Sequence, residues 1–316
     1  MPPSRRPLGA APRTAKAAAA ATTTGTVVAA YRRHWAVLRD DGALVACVLK
    51  GRGATIAAGD RVQVASGDGG GVIEHVLPRR NLVYRSDAHR AKLVAANVTL
   101  VVGVVAPDLA IDLELLDRWS VAAEAEGCAF VVCANKSDDP AFAGFLPRLA
   151  PWQRLGYGVI AMSAKHDASL LRARLLGEHA VLVGQSGVGK STIVNALVPA
   201  AGARVGEVSQ ALGSGRHTTT ESTLHRLPDD PSGGWIVDSP GMTQFALAHL
   251  EPSAIPAAFV DLRPWLGRCR FRDCRHDREP GCAVQEAVAR GDVARHRVAL
   301  MRTLVAQSEA ARRPGR

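Results

Sequence analysis

Ala180-Val181-Leu182-Val183-Gly184-Gln185-Ser186-Gly187-Val188-Gly189-Lys190-Ser191-Thr192-Ile193-Val194-Asn195-Ala196-Leu197 decides the fold of this chain. The apolar run Ala180 to Val183 reads as a buried strand, Thr192 to Leu197 reads as a helix, and a glycine-rich octet lies between them. Successive backbone N–H groups of Gly184, Gln185, Ser186, Gly187, Val188 and Gly189 can point inward at phosphate, and the helix N-terminus adds a partial positive charge. Lys190 is placed to reach the β- and γ-oxygens, and Ser191 to ligate Mg²⁺, with Thr192 beside it. Taken alone, the loop fits an ATPase or a kinase equally well.

Three further motifs each follow a predicted strand. Asn135-Lys136-Ser137-Asp138 follows Ala129 to Ala134. A carboxylate at Asp138 accepts from guanine N1–H and N2–H, a donor pair adenine lacks, and the Lys136 stem packs along the base plane. Ser163-Ala164-Lys165 follows Gly158 to Met162 and would give a backbone N–H to guanine O6. Asp238-Ser239-Pro240-Gly241 follows Trp235 to Val237. There Asp238 would hold Mg²⁺ through water and the Gly241 N–H would meet the γ-phosphate. Together the motifs predict GTP/GDP and Mg²⁺ binding, and a GTPase. Their order is unusual. The base-reading motifs precede the phosphate loop, as if an ordinary core had been cut and rejoined.

Between the phosphate loop and Asp238 runs Gly213-Ser214-Gly215-Arg216-His217-Thr218-Thr219-Thr220. A glycine stretch ending in hydroxyls suits a switch loop, in which Thr219 or Thr220 would ligate Mg²⁺ only with the γ-phosphate present. Many GTPases carry a water-orienting Gln directly after the Asp-x-x-Gly glycine. Here that position is Met242, and Gln244 stands two residues late. His217 is the internal candidate for positioning water; a structural loop histidine is the plainer reading.

The flanking sequence divides into regions. Residues 1–24 contain no acid and read as a disordered basic tail; an organelle transit peptide shares that composition. Residues 25–80 carry about five short β-rich runs and no helical period, which predicts a small barrel, oligonucleotide-binding or SH3-like. In it, Tyr31-Arg32-Arg33-His34-Trp35 has the make-up of a stacking surface, or of core aromatics beside solvated arginines. Residues 81–245 alternate continuous apolar strands with helices, the pattern of a doubly wound parallel sheet. Residues 246–316 are mainly helical around a Cys/His cluster.

Cys269-x4-Cys274-x-His276-x5-Cys282 supplies three thiolates and an imidazole, a closed tetrahedral set for one structural Zn²⁺. Cys47, Cys128 and Cys133 sit in apolar stretches and read as small core residues. This usage fits a reducing, cytoplasmic setting. The net charge of +10 favours polyanion partners. From Leu262 onward there are 13 Arg, 6 acids and no Lys, and Arg is the better phosphate-reading cation. No apolar run approaches a membrane span.

These residues together resemble the ribosome small-subunit-dependent GTPase A family, the circularly permuted GTPases. The match runs over about residues 25–305. It includes the motif order, Gly184 to Ser191, Gly215 to Thr220, Asp238 to Gly241 and the Cys/Cys/His/Cys spacing. Asn81-Leu82-Val83-Tyr84-Arg85 and Ala95-Ala96-Asn97-Val98 also look like the family's approach to its GTPase domain. The family carries a hydrophobic residue at the Met242 position. The resemblance implies an oligonucleotide-binding barrel, a permuted GTPase core and a zinc domain. It implies late maturation of the small ribosomal subunit, hydrolysis stimulated by that subunit, and contact with its rRNA. A cytoplasmic monomer without a membrane partner is expected. Two other readings share the motifs: a permuted GTPase serving the large subunit or another RNA particle, and an RNA-binding protein using the fold as a scaffold.

Overall fold

The computed structural model describes residues 22–31, 34–51, 53, 55–67, 70–86, 91–109, 112–201, 222–238, 247 and 250–312. Five strands come first: β1 (Thr22–Tyr31), β2 (His34–Arg39), β3 (Leu44–Leu49), β4 (Arg61–Gly67) and β5 (Gly70–Val76). They pair in the order β1-β2-β3-β5-β4, and β4 returns to β1 from Thr22↔Ala65 to Thr26↔Arg61. The sheet is therefore a closed barrel without a free edge. A simple meander would put β4 beside β3. Instead β5 lies there, in parallel, with Cys47 opposite Gly71. That crossing settles the oligonucleotide-binding topology over the SH3-like one. Val27, Val37, Cys47, Val62, Val64 and Ile73 fill the interior, and Trp35 packs against them from the side. Thr22, Thr23 and Thr24, expected in the tail, are instead the first residues of β1. Residues 1–21, the rest of the expected tail, lie outside the described residues.

A hairpin follows, β6 (Leu82–Ser86) with β7 (Ala91–Ala96). The central unit then runs β8 (Leu100–Val105), α1 (Leu113–Ala125), β9 (Ala129–Ala134), α2 (Phe142–Phe145), α3 (Ala150–Arg154), β10 (Gly158–Ala161), α4 (Ser169–Leu175), β11 (His179–Val183), α5 (Lys190–Leu197), β12 (Thr223–Arg226) and β13 (Trp235–Asp238). Five of these strands form the parallel sheet β10-β9-β8-β11-β13. All six residues of β8 are buried, because helices or the barrel cover both faces of the sheet. On one face Val101, Val181 and Val237 pack with Trp119 of α1; on the other Val102, Leu182 and Ile236 pack with Ile193 of α5. The Asp112 carboxylate caps α1 by accepting from Leu115 N, and Gly127, at φ +66°, ends it.

The barrel is joined to this sheet directly. β12 runs antiparallel to β13, and its Thr223 pairs with Ala29 of β1. A bulge between Val27 and Ala29 turns β1 from the barrel towards the sheet. Gly59 sits at the seam with φ +90°; a Cβ there would stand 2.3 Å from the Ala96 carbonyl and 2.9 Å from the Trp235 ring. Val28, Ala36 and Ala58 of the barrel share one core with Leu224, Trp235 and Val237.

The C-terminal region ends in α6 (Ala283–Arg290) and α7 (Arg295–Arg312). Val284, Val298, Met301 and Leu304 pack there against Phe259 and Leu262, and also against Val121 and Ala122 of α1. The region is thus docked on the back of α1. No helix among the described residues is long and apolar enough to cross a membrane.

Candidate functional site

The site forms at the carboxyl ends of β8, β9, β10, β11 and β13, where a parallel sheet opens its crevice. The phosphate loop leaves β11 and enters α5 at Lys190. Its turn requires Gly187 at φ +87° and Gly189 at φ +95°. A Cβ on Gly189 would lie 2.5 Å from Asn135 Nδ2, so glycine there is demanded twice. Lys190 Nζ donates to the carbonyls of Gly184 at 2.7 Å and Gln185 at 2.9 Å, which keeps the ammonium at the mouth of the loop. Ser191 and Thr192 lie in the first turn of α5.

Asn135 is the hinge pin of the site. It is 2% exposed at the end of β9. Its Nδ2 donates to the Val188 carbonyl at 2.9 Å, and its Oδ1 accepts the Ala164 N–H at 3.0 Å. One side chain therefore fixes the guanine loop, the Ser163-Ala164-Lys165 loop and the phosphate loop against each other. Lys136 stands at φ +62°, and its Nζ donates to the Gly187 carbonyl at 2.8 Å. Asp138 is exposed and open to a ligand. The nearby Ser163 hydroxyl first, and the backbone N–H of Asp138 itself after it, hold its carboxyl below the ordinary value. Asp138 is thus an anion at neutral pH.

Asp238 ends β13 beside the phosphate loop. Burial pushes its carboxyl above the ordinary range, while His225 and Lys190 pull it down. Burial also lowers Lys190, with Asp238 opposing. A hydroxyl at Ser191, in the first turn of α5, and a carboxylate at Asp238, at the end of β13, are oxygen donors of the kind Mg²⁺ takes alongside phosphate. Thr219, Thr220, His217 and Gly241, together with Met242 and Gln244, lie outside the described residues.

Two neighbours escaped the sequence reading. Asp108, after β8, receives a hydrogen bond from Lys136 Nζ at 2.5 Å. His166 Nε2 lies 3.9 Å from Asp138 Oδ2. Neither belongs to a motif; their placement after a sheet strand was the available signal.

The Cys/His set converges as its spacing predicts. The four ligand atoms of Cys269, Cys274, His276 and Cys282 lie within 4.8 Å of one another. Cys269 Sγ is 3.5 Å from His276 Nδ1 and 3.8 Å from Cys282 Sγ, and His276 Nδ1 is 3.4 Å from Cys282 Sγ. Zinc bonds of about 2.3 Å to sulfur and ~2.0 Å to nitrogen give tetrahedral edges of about that length. Burial first, and the crowded neighbouring thiols after it, push the Cys274 thiol up to about 12. A dication among the four atoms would reverse that, so the residues fit zinc. Cys47, Cys128 and Cys133 are buried and apart from this group, as core residues should be.

Residues 76–248 match the family model described as RsgA GTPase. A protein named small ribosomal subunit biogenesis GTPase RsgA from Paraburkholderia phytofirmans is 44% identical over 307 residues, covering 94% of this chain and 97% of that protein. Its namesake from Nitrosospira multiformis is 42% identical over 293 residues, covering 92% of each. The crystal structure of YjeQ from Thermotoga maritima is similar with a TM-score of 0.69 and 28% identity, over 92% of this chain and 99% of that one. The crystal structure of YloQ, a circularly permuted GTPase, has a TM-score of 0.68 at 24% identity, over 97% of this chain and 100% of that one.

Proposed function

The chain belongs to the RsgA GTPase family, and on that premise we propose that it hydrolyses GTP in the late maturation of the small ribosomal subunit. The observation that carries the reading is the pair of Asn135 bonds to Val188 and Ala164. They hold the base-reading and phosphate-reading loops in one frame, which a scaffold without a nucleotide would not need. In this reading Gly184 to Thr192 cradle the phosphates, and Asp138, Lys136 and Ser163-Ala164-Lys165 read guanine. Asp238 and Ser191 hold Mg²⁺, which when bound neutralises charge between the β- and γ-oxygens. His217, Thr219, Thr220 and Gly241 complete the γ-phosphate side. Cys269, Cys274, His276 and Cys282 hold one structural zinc. The division proposed is a barrel to residue 80, a GTPase core to 245 and a zinc domain from 246.

Hydrolysis by the protein alone should be slow, since Met242 cannot orient water; a GTPase without help turns over at roughly 10⁻⁴–10⁻³ s⁻¹. Docking on rRNA of the subunit would complete the site. The chain would act as a cytoplasmic monomer. The test is GTP turnover of wild type and His217→Ala, each with and without small subunits. Absence of stimulation in the wild type would refute the ribosomal reading. Full stimulation of the variant at equal nucleotide affinity would return His217 to a plain loop residue.

A further inference from the structure

We propose that Phe271 is a base-stacking residue that docks on an unpaired nucleotide of RNA, held between flanking arginines on the loop that the Cys/His cluster fixes. The inference rests on the RNA-directed reading above and names the contact within it.

Phe271 is 42% exposed. The other large exposed hydrophobics, Leu44, Val48, Leu113, Leu170 and Leu176, are all aliphatic. Phe271 is the aromatic one among the described residues, and its surroundings differ. Cys269 and Cys274 bracket it, Arg270 N donates to the Gly281 carbonyl at 2.9 Å, and Gln285 Nε2 donates to the His276 carbonyl at 2.6 Å. The loop is thus anchored on both sides, and its ring is presented at little further entropic cost.

The charges around the ring are the second observation. Most arginines elsewhere in this region are paired: Arg263 with Glu124, Arg290 with Asp292, Arg297 with Asp261, Arg302 with Asp277 and Arg312 with Glu251, while Arg295 is exposed. Arg268, Arg270, Arg272, Arg275 and Arg278 are exposed, and among the described residues none is paired with a carboxylate. The loop's own acids do not cancel them. Glu279 is turned onto the backbone, accepting from Arg275 N at 2.9 Å and Asp277 N at 2.8 Å, and Asp277 is taken by Arg302. Asp273 remains exposed between them. The Arg270 guanidinium lies 5.5 Å from the Phe271 ring centroid, so one face of the ring already carries a planar cation.

A free aromatic face beside unpaired guanidiniums matches a nucleotide, which offers a π-surface and a phosphate at a fixed spacing. A paired duplex hides its bases in the stack, so the ring selects single-stranded loops, bulges or ends. An acidic protein surface would satisfy the arginines but leave the ring without a partner.

The test uses the full-length, zinc-loaded protein and a fluorescently labelled 12-nucleotide single-stranded RNA, a duplex of the same sequence and purified small subunits. Phe271→Ala should weaken binding to the single strand by about 5- to 150-fold, the range for one stacked base. Phe271→Trp should bind within about threefold of wild type or tighter. The dependence of log affinity on log salt should be unchanged in Phe271→Ala and shallower by about 0.7 in Arg272→Ala, because the former loses a stack and the latter a phosphate contact. Unaltered zinc content of each variant excludes unfolding of the loop. If Phe271→Ala binds the single strand as wild type does, or wild type binds no single strand, the inference is overturned. If it weakens binding to subunits but not to naked RNA, the ring docks on protein and the inference is also overturned. If wild type binds the single strand through Phe271 but does not bind subunits, the inference stands and the ribosomal reading falls.

Discussion

Arg297 Nη1 lies 2.7 Å from Asp117 Oδ1 across 180 residues of sequence, with 3% and 2% of the two side chains exposed. Its Nε also donates to Asp261, at 2.8 Å to Oδ2. The guanidinium lies 5.1 Å from the Phe259 ring centroid. The last helix is thereby fastened to α1, the helix that opens the nucleotide-binding core. Burial pushes the Asp117 carboxyl up, and the Arg297 cation opposes that.

Arg297→Met should therefore be strongly destabilising. Removing the shared cation costs about 3–5 kcal/mol, because Asp117 would keep only its contact with the exposed His296, 3.1 Å away. Exchanging Arg297, Asp117 and Asp261 together for apolar residues should recover most of it. Denaturant midpoints of the single and triple variants check this. A single variant as stable as wild type would show that the charges are not buried in solution.

Asn135→Ala should loosen the frame of the site. The Val188 carbonyl and Ala164 N–H would lose their buried partner, at about 1–3 kcal/mol. Guanine nucleotide affinity should fall with it, although Asn135 reads the loops and not the base. Calorimetric titration with GDP, beside a thermal melt, separates the two effects. Unchanged GDP affinity would refute the framing role.

Guanine selectivity should reside in Asp138. Asp138→Asn should weaken GTP by more than an order of magnitude and improve xanthosine triphosphate, whose added carbonyl suits an amide donor. Equal GTP affinity in the variant would remove Asp138 from the base site.

One zinc per chain should be found, and Cys274→Ser should release it. Structural zinc supplies about 10–16 kcal/mol of apparent binding energy to a small domain. The region from residue 250 should lose its protection from hydrogen exchange while the core keeps GDP binding. Elemental analysis without zinc, in protein purified without chelator, would contradict the assignment.

Asp40 gives a pH signature in the barrel. Its carboxylate accepts from Arg61 at 2.7 and 2.8 Å and from Thr24, and these bonds, Arg61 first, hold its pKa down at about 2 against 3.8. A depressed folded value means stabilisation present above the unfolded pKa and lost as pH falls towards the folded one. The pair is about half exposed (41% and 51%), so solvent screening limits the effect to below about 1 kcal/mol. Wild type should exceed Asp40→Asn in stability near pH 6, and the gap should close between about pH 4 and pH 2. A constant gap would exclude this cause.

Much of the molecule was legible locally. Val98 to Val105, Ala129 to Ala134 and Ala180 to Val183 announced buried parallel strands because both faces of each are covered and the apolar run is unbroken. Gly184 to Ser191, Asn135 to Asp138, Ser163 to Lys165 and Cys269 to Cys282 were readable because each needs fixed residue types at fixed short spacing. Other features left no such trace. β12 is four residues long and carries His225 and Arg226, without a period to find. Its place between β13 and β1 comes from pairings of Thr223 with Asp238 and with Ala29. Asp108 has no motif and acts only where Lys136 arrives.

The sequence by itself marked the candidate chemistry: the loops proposed to hold phosphate and read the base, the three thiols and imidazole whose ligand atoms converge, and the permuted order. Only the tertiary structure decided how the parts are joined. It placed β5 in parallel against β3, closing the barrel in the oligonucleotide-binding order. It ran β1 from that barrel into the sheet at Thr223, and it buried Arg297 against Asp117. The physical reason is range. Motif chemistry depends on residues a few positions apart, whose spacing the chain fixes covalently. Barrel closure, sheet fusion and buried ion pairing depend on burial and hydrogen-bond satisfaction among groups tens to hundreds of residues apart, and these are settled only when the whole core packs.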